Sequence, residues 1–307
     1  MADTGRTAHD AVAGLKPTRE LLELYNDYAH DVIDRRTFME RLSKYAVGGV
    51  TLAMLTEMLM PKYATALQIA EDDPRIRGER IEYDSPNGAG KQGKKMGGYL
   101  VRPANARGKL PAVVIVHENR GLNPHIADVA RRAAAAGYLA LAPDALFPLG
   151  GYPGTDDEGR TMQATRNGAE MLEDFIAAVA LMQANGDATG KVGVTGFCYG
   201  GGVCNQLAIR VPTLAASVPY YGAAGAEADA EKVRAPLLVN LASTDERINA
   251  GYPAWEAALK KAGKQITVHT YPDTQHGFHN DTTPRFNPEQ ARLAWNRTLE
   301  FWDKHLL

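Results

Sequence analysis

Cysteine is nearly missing from this chain: two in 307 residues, Cys198 and Cys204. Two thiols six positions apart build no disulfide framework, and no Cys-x-x-Cys pair offers a metal-ligand spacing. The eight histidines likewise lack a spacing such as His-Glu-x-x-His, so the sequence implies neither a metal nor a cofactor. An excess of one charge is missing too. With 34 Lys and Arg against 36 Asp and Glu, the net charge is -2, and no basic stripe stands out; nucleic acid is a poor partner. Hydrophobic residues make up 45% of the chain, but no apolar run is long and uninterrupted enough for stable membrane insertion. The length suits one large α/β domain with an extension, or two small domains. Homo-oligomerisation is left open.

What is present falls into two parts, residues 1–72 and 73–307. In the first, "TRELLELYNDYAHDVID" carries Leu21, Leu22, Leu24, Tyr25, Tyr28 and Val32 at helical spacing, an expected buried stripe. The segment 34–68 then holds an arginine pair, a mostly apolar stretch and a small-residue site at Ala64-Thr65-Ala66. It reads in two ways. One is a twin-arginine export signal. The other is a pair of amphipathic helices packed on the domain that follows, with Glu57 interrupting the apolar run and Lys44 close to it. The first reading places the protein in the periplasm, the second in the cytoplasm, which is the preferred expectation.

From about Asp73 the pattern becomes regular. "GERIEYDS" and "MGGYLVRP" predict two outer strands around a Gly-rich connection. "PAVVIVHE" is apolar on both faces, as in a doubly covered strand. "YLALAPD", "KVGVTG", "LAASVPYYG", "APLLVNLAS" and "QITVHTYP" supply five more strands, with helical patterns between them and a closing helix at the end. Eight strands alternating with helices predict a mostly parallel sheet covered on both faces.

"GFCYG" (196–200) follows one of these strands and opens a helix, with a nucleophile between two glycines. That is the setting of a nucleophile elbow, where small neighbours let strand and helix approach and the helix N-terminus favours negative charge. Cys198 is therefore the candidate nucleophile, and a buried packing cysteine is the plainer alternative, the role given to Cys204. Asp245, in "TDERI", and His276, in "TQHGF", each follow a separate strand in the order nucleophile, acid, histidine. His276 would move the proton and Asp245 would hold the imidazole tautomer. The oxyanion hole would combine the N–H of Tyr199 with one from "HENRGL", for which Asn119 is the choice. His117 and Asp144 read as packing and turn residues, and His30, His125, His269 and His305 as surface or core. Tyr152, Phe147, Tyr199 and Tyr221 are candidates to line a pocket.

With "HENRGL", "APD", "GFCYGG", "YYG", the aspartate loop and "HGF" in place, residues 73–307 resemble the dienelactone hydrolase family of α/β-hydrolases. The resemblance implies a cysteine-dependent hydrolase of small-molecule esters or lactones working through a Cys–His–Asp triad and an acyl-enzyme. It also implies a role for Glu118, which matches the family's glutamate that contacts the resting cysteine. One departure is plain: the family's substrate-binding arginine shortly after "APD" has no counterpart before Arg160. Arg247 and Arg120 are the expected substitutes. A thioesterase or acyltransferase on the same triad, or a binding protein that kept the fold, are the alternative functions.

Overall fold

Segments rich in valine and poor in polar residues form the middle of one eight-stranded sheet. The computed structural model describes residues 16–307; the start of the expected extension, with His9, lies outside them. The strands are β1 (Ile76–Tyr83), β2 (Met96–Pro103), β3 (Leu110–Val116), β4 (Leu139–Asp144), β5 (Ala188–Phe197), β6 (Ala216–Tyr220), β7 (Leu237–Ala242) and β8 (Ile266–Tyr271). Their spatial order is β1-β2-β4-β3-β5-β6-β7-β8. The β1–β2 and β2–β4 pairs are antiparallel, and every later pair is parallel. This is the mostly parallel sheet that the strand runs predict.

The period of two along β3 shows why its sequence is continuously apolar. Ala112, Val114 and Val116 face one core layer with Phe175, Leu207 and Trp255. Val113 and Ile115 face the other, with Ile126, Tyr138 and Trp302. Both faces are covered by helices, so neither tolerates polar residues. At the sheet edge, β8 is mostly part-exposed.

The described residues of the N-terminal segment include the helices Arg19–Ala29, Arg35–Ser43 and Leu52–Leu59. They bury a small core of their own, with Leu24, Tyr28, Phe38, Leu42 and Leu59 in it. Tyr28 and Phe38 stack at 4.5 Å. The expected stripe needs one correction. Leu21, Leu24, Tyr25 and Tyr28 are buried and Leu22 packs beside them, but Val32 is 65% exposed. The helix ends at Ala29 and Asp31 takes a φ of 58°, so the helical spacing stops before Val32.

The arginine pair opens the helix Arg35–Ser43, whose N-cap is Asp34, and Arg35 reaches Asp157 at 2.7 Å. Other contacts tie the segment to the sheet body. The Asp128 carboxylate accepts from the backbone N–H groups of Gln68 and Ile69 at 3.1 and 2.8 Å. Lys62 N–H donates to Thr282 O at 2.7 Å. The Arg160 and Arg285 guanidinium groups lie 4.6 and 5.0 Å from the ring centres of Tyr28 and Tyr25. Among the described residues, no helix is long and apolar enough to cross a membrane.

Candidate active site

The geometry begins with the end of β5. Phe197 is the last strand residue, Cys198 takes φ 55° and ψ -113°, and Tyr199 opens the next helix, Tyr199–Arg210. A non-glycine residue at this φ is strained and persists only where its surroundings fix it. They do so here. Cys198 N–H donates to Tyr220 O at 3.1 Å, and its carbonyl accepts from Gly201 and Gly202 N–H at 3.0 and 3.2 Å. Gly196 and Gly200 allow the close approach: a Cβ on Gly196 would meet Gly200 O at 2.4 Å, and one on Gly200 would meet Val116 O at 2.4 Å. Gly202 meets only ordinary contacts.

Cys198 opens onto a cleft of about 430 Å³ lined in part by His30, Asn119, Tyr199, Tyr221, Arg247 and His276. His276 lies in the loop after β8, and Asp245 follows β7. Their side chains are joined Nδ1 to Oδ2 at 2.5 Å, and both residues are buried. Nδ1 therefore donates, and among the described residues Nε2 of His276 has no hydrogen-bond partner at normal distance. Burial disfavours a charged ring here. The negative charge of Cys198 and the hydrogen bond to Asp245 outweigh burial and lift His276 to about 9. The neighbouring Glu246 is exposed.

The side chain at hydrogen-bonding distance from the thiol is one the sequence did not single out. His30 Nε2 lies 3.4 Å from Cys198 Sγ. His30 caps the helix Arg19–Ala29, and its Nδ1 donates to Asn26 O at 2.7 Å. Since that carbonyl can only accept, Nε2 carries the lone pair facing the thiol. The ring stands edge-on to His276 with centres 4.4 Å apart. Burial first, then the positive charges of His276 and Arg285, push His30 well below the ordinary histidine range. The reading of His30 as a surface or core residue is thus corrected. A contact spanning 168 positions leaves no local pattern; the one hint is that His30 ends an amphipathic helix whose stripe has to pack on something.

The other expected residues divide. Glu118 is buried, accepts from Asn280 Nδ2 at 3.1 Å and has Arg120 Nε at 3.9 Å. Burial would raise its carboxyl, but the charges of Arg120, His125 and Arg285 hold it below the usual range. The structure brings His30 rather than Glu118 to the thiol. Arg120 is also turned from the cleft. Its guanidinium is buried against Asp156 at 2.8 Å, so the expectation that it holds a substrate does not fit its position. A buried guanidinium stays with its carboxylate because separating them would strand a charge away from water. Arg247 is exposed on the cleft wall. Arg160 is committed to Asp31 at 2.7 Å.

Asn119 lines the cleft while its side-chain amide donates to Ala29 O at 3.0 Å, and Tyr199 is the first residue of its helix, where an N–H has no partner within the helix. Tyr221 lines the same cleft, whereas Phe147 and Tyr152 line a different one beside β2. His117 is buried and accepts from Ala145 N–H at 3.0 Å, and Asp144 accepts from the backbone of Leu122 and Leu146. Cys204 is fully buried.

Comparison with known proteins adds the family. The sequence signature of the dienelactone hydrolase family matches residues 96–306, and a second signature, described as YqhI-like, matches residues 18–48. The chain is similar to a Yersinia pestis protein named "Putative carboxymethylenebutenolidase", with 29% identity over 228 residues, 70% of this chain and 85% of that one. It is 58% identical over 114 residues to "Putative hydrolase fragment YghX" of Escherichia coli K12, covering 37% of this chain and 94% of the fragment. The crystal structure of a "Putative Dienelactone Hydrolase" from Klebsiella pneumoniae superposes with a TM-score of 0.64 at 28% identity, over 75% of this chain and 100% of that one. The chain belongs to the dienelactone hydrolase family, and it is a hydrolase of the α/β-hydrolase fold acting on ester or lactone bonds.

Proposed function

We propose that residues 73–307 hydrolyse a small-molecule ester or lactone through a thioester on Cys198, with residues 1–72 an extension that reaches the same site. The single observation that carries this reading is the buried Asp245–His276 pair at 2.5 Å, opening on a cleft shared with a thiol held at a strained turn. Cys198 Sγ attacks the carbonyl carbon after its proton passes to His276. Oxygen takes the developing charge, and the N–H groups of Tyr199 and Asn119 are suited to receive it. Collapse of that intermediate breaks the C–O bond, and His276 gives its proton to the departing alkoxide. In a lactone that alkoxide stays attached to the acyl chain. Water then loses a proton to His276, attacks the thioester and releases the carboxylic acid and the free thiol. Asp245 keeps Nδ1 protonated, so Nε2 faces the reaction throughout.

Arg247, on the cleft wall, is the residue we assign to a substrate carboxylate. Cys198→Ala and His276→Ala test the scheme on p-nitrophenyl esters and on lactones. Each is expected to lower kcat/KM by about a thousandfold or more while the circular dichroism is unchanged. Turnover that survives either change would remove that residue from the scheme.

A further inference from the structure

The contact that no sequence spacing announced places three soft or borderline ligands around one point. The Sγ of Cys198 and one ring nitrogen each of His30 and His276 all lie within 4.8 Å of one another, a grouping of metal-ligating type among the described residues. We propose that this trio binds a divalent transition-metal ion of the zinc type, and that the ion silences the hydrolase. The inhibition rests on the reading of Cys198 as nucleophile; the binding does not.

Three features of the geometry favour an ion over an accidental cluster. Tetrahedral zinc, with bonds of about 2.3 Å to sulfur and about 2.0–2.1 Å to nitrogen, sets its ligand atoms about 3.4–3.6 Å apart. Cys198 and His30 already stand at 3.4 Å, and the other pairs, within 4.8 Å, need to close by at most about 1.4 Å. Next, both rings are oriented from behind. His276 Nδ1 is held by the Asp245 carboxylate and His30 Nδ1 by the Asn26 carbonyl. Those are the two outer partners that metal-binding histidines most often use, and they turn each Nε2 toward the site, where the ion displaces the proton that His276 carries. Finally, Nε2 of His276 is buried and, among the described residues, has no hydrogen-bond partner at normal distance, so an ion would give it one. A thiolate and two neutral imidazoles suit zinc, cobalt or copper rather than magnesium or calcium, which take oxygen ligands.

The one proton shared by the Cys198–His276 pair leaves to solvent as the ion binds, and the fourth coordination position faces the cleft. With the ion in place neither the sulfur nor the His276 ring is free to react. Inhibition therefore needs the N-terminal segment as well as the hydrolase unit, because His30 comes from one and the triad residues from the other.

The test uses the full-length, metal-free chain and zinc chloride. Calorimetric titration is expected to find one ion bound per chain through these residues, with affinity at least tenfold weaker in His30→Ala. Saturating zinc is expected to slow iodoacetamide alkylation of Cys198, read by peptide mass spectrometry, and to stop ester hydrolysis until a chelator is added. Equal zinc affinity in His30→Ala, or unchanged alkylation of Cys198, would overturn the proposal. Should His30→Ala fail to fold, cobalt(II) added to the unaltered chain replaces it. A thiolate-to-cobalt charge-transfer band supports the site, and its absence overturns it. The two readings fail separately. Hydrolysis lost in Cys198→Ala with no zinc bound removes the metal site alone. Zinc bound through the trio in a chain whose Cys198→Ala variant still hydrolyses esters removes the nucleophile alone.

Discussion

Asp245 and His276 work as one unit, since the carboxylate both orients the ring and supports its charge. His276 titrates near 9 because partners favour its protonated form over burial. The protonated ring is thus present below that pH and lost as the pH rises through it. In the proposed scheme kcat/KM therefore declines on an alkaline limb near 9. Asp245→Asn removes one of the supports, so the limb is expected to move to lower pH and the rate to fall by roughly a hundredfold or more. An unmoved limb would mean that Asp245 does not govern this ring. Gly200 is constrained just as locally. An added methyl there would meet the backbone oxygens of Val116 and His117 at 2.4 and 2.6 Å, and backbone cannot swing aside as a side chain can. Gly200→Ala is expected to cost about 1–3 kcal/mol in urea unfolding. A change near zero would show that the elbow has room to spare.

At the level of elements, strands and the three residues proposed as a triad were legible because each carries a local signature. An apolar run marks a strand with two covered faces, and "GFCYG", "TDERI" and "QHGF" each follow one. Contacts between distant elements were not legible. Nothing near "DYAHDV" announces that His30 meets a thiol 168 positions away, and nothing near "HENRGL" says that Arg120 folds back onto Asp156. Glu118 shows the same limit: the motif locates it, but Asn280 and Arg120 decide where its carboxylate points. The N-terminal helices are held to the sheet body partly by arginines over tyrosine rings, and that docking can be loosened at one residue. Arg160→Ala removes both the 4.6 Å approach to Tyr28 and the 2.7 Å ion pair with Asp31. Amide exchange across residues 19–43 is expected to speed up about three- to tenfold, with β3 unaffected. Unchanged protection would assign the docking to the other contacts.

Across the fold as a unit, the sheet has a core layer on each face, and the closing helix Pro288–Leu306 covers one of them. Its Trp302 is fully buried, with Tyr138 at 5.1 Å and Trp295 at 5.7 Å between ring centres. Trp302 does not line the cleft, and Trp302→Ala is expected to lower stability by about 3–5 kcal/mol in chemical denaturation. A loss below about 1 kcal/mol would mean that the layer closes around the gap. The sheet body built this way is what holds the loops after β5, β7 and β8 in register, so that Cys198, Asp245 and His276 meet at one edge although they lie far apart in the chain.

Every step of the proposed chemistry depends on a thioester forming at Cys198. Rapid quenching of the protein with an activated ester, followed by intact-mass and peptide mass spectrometry, looks for that intermediate itself. The predicted result is one acyl group per chain on the peptide bearing Cys198, formed within a turnover, decaying as acid appears and absent in Cys198→Ala. Hydrolysis at the full rate with no acyl group on Cys198, or with the group on another residue, would contradict it.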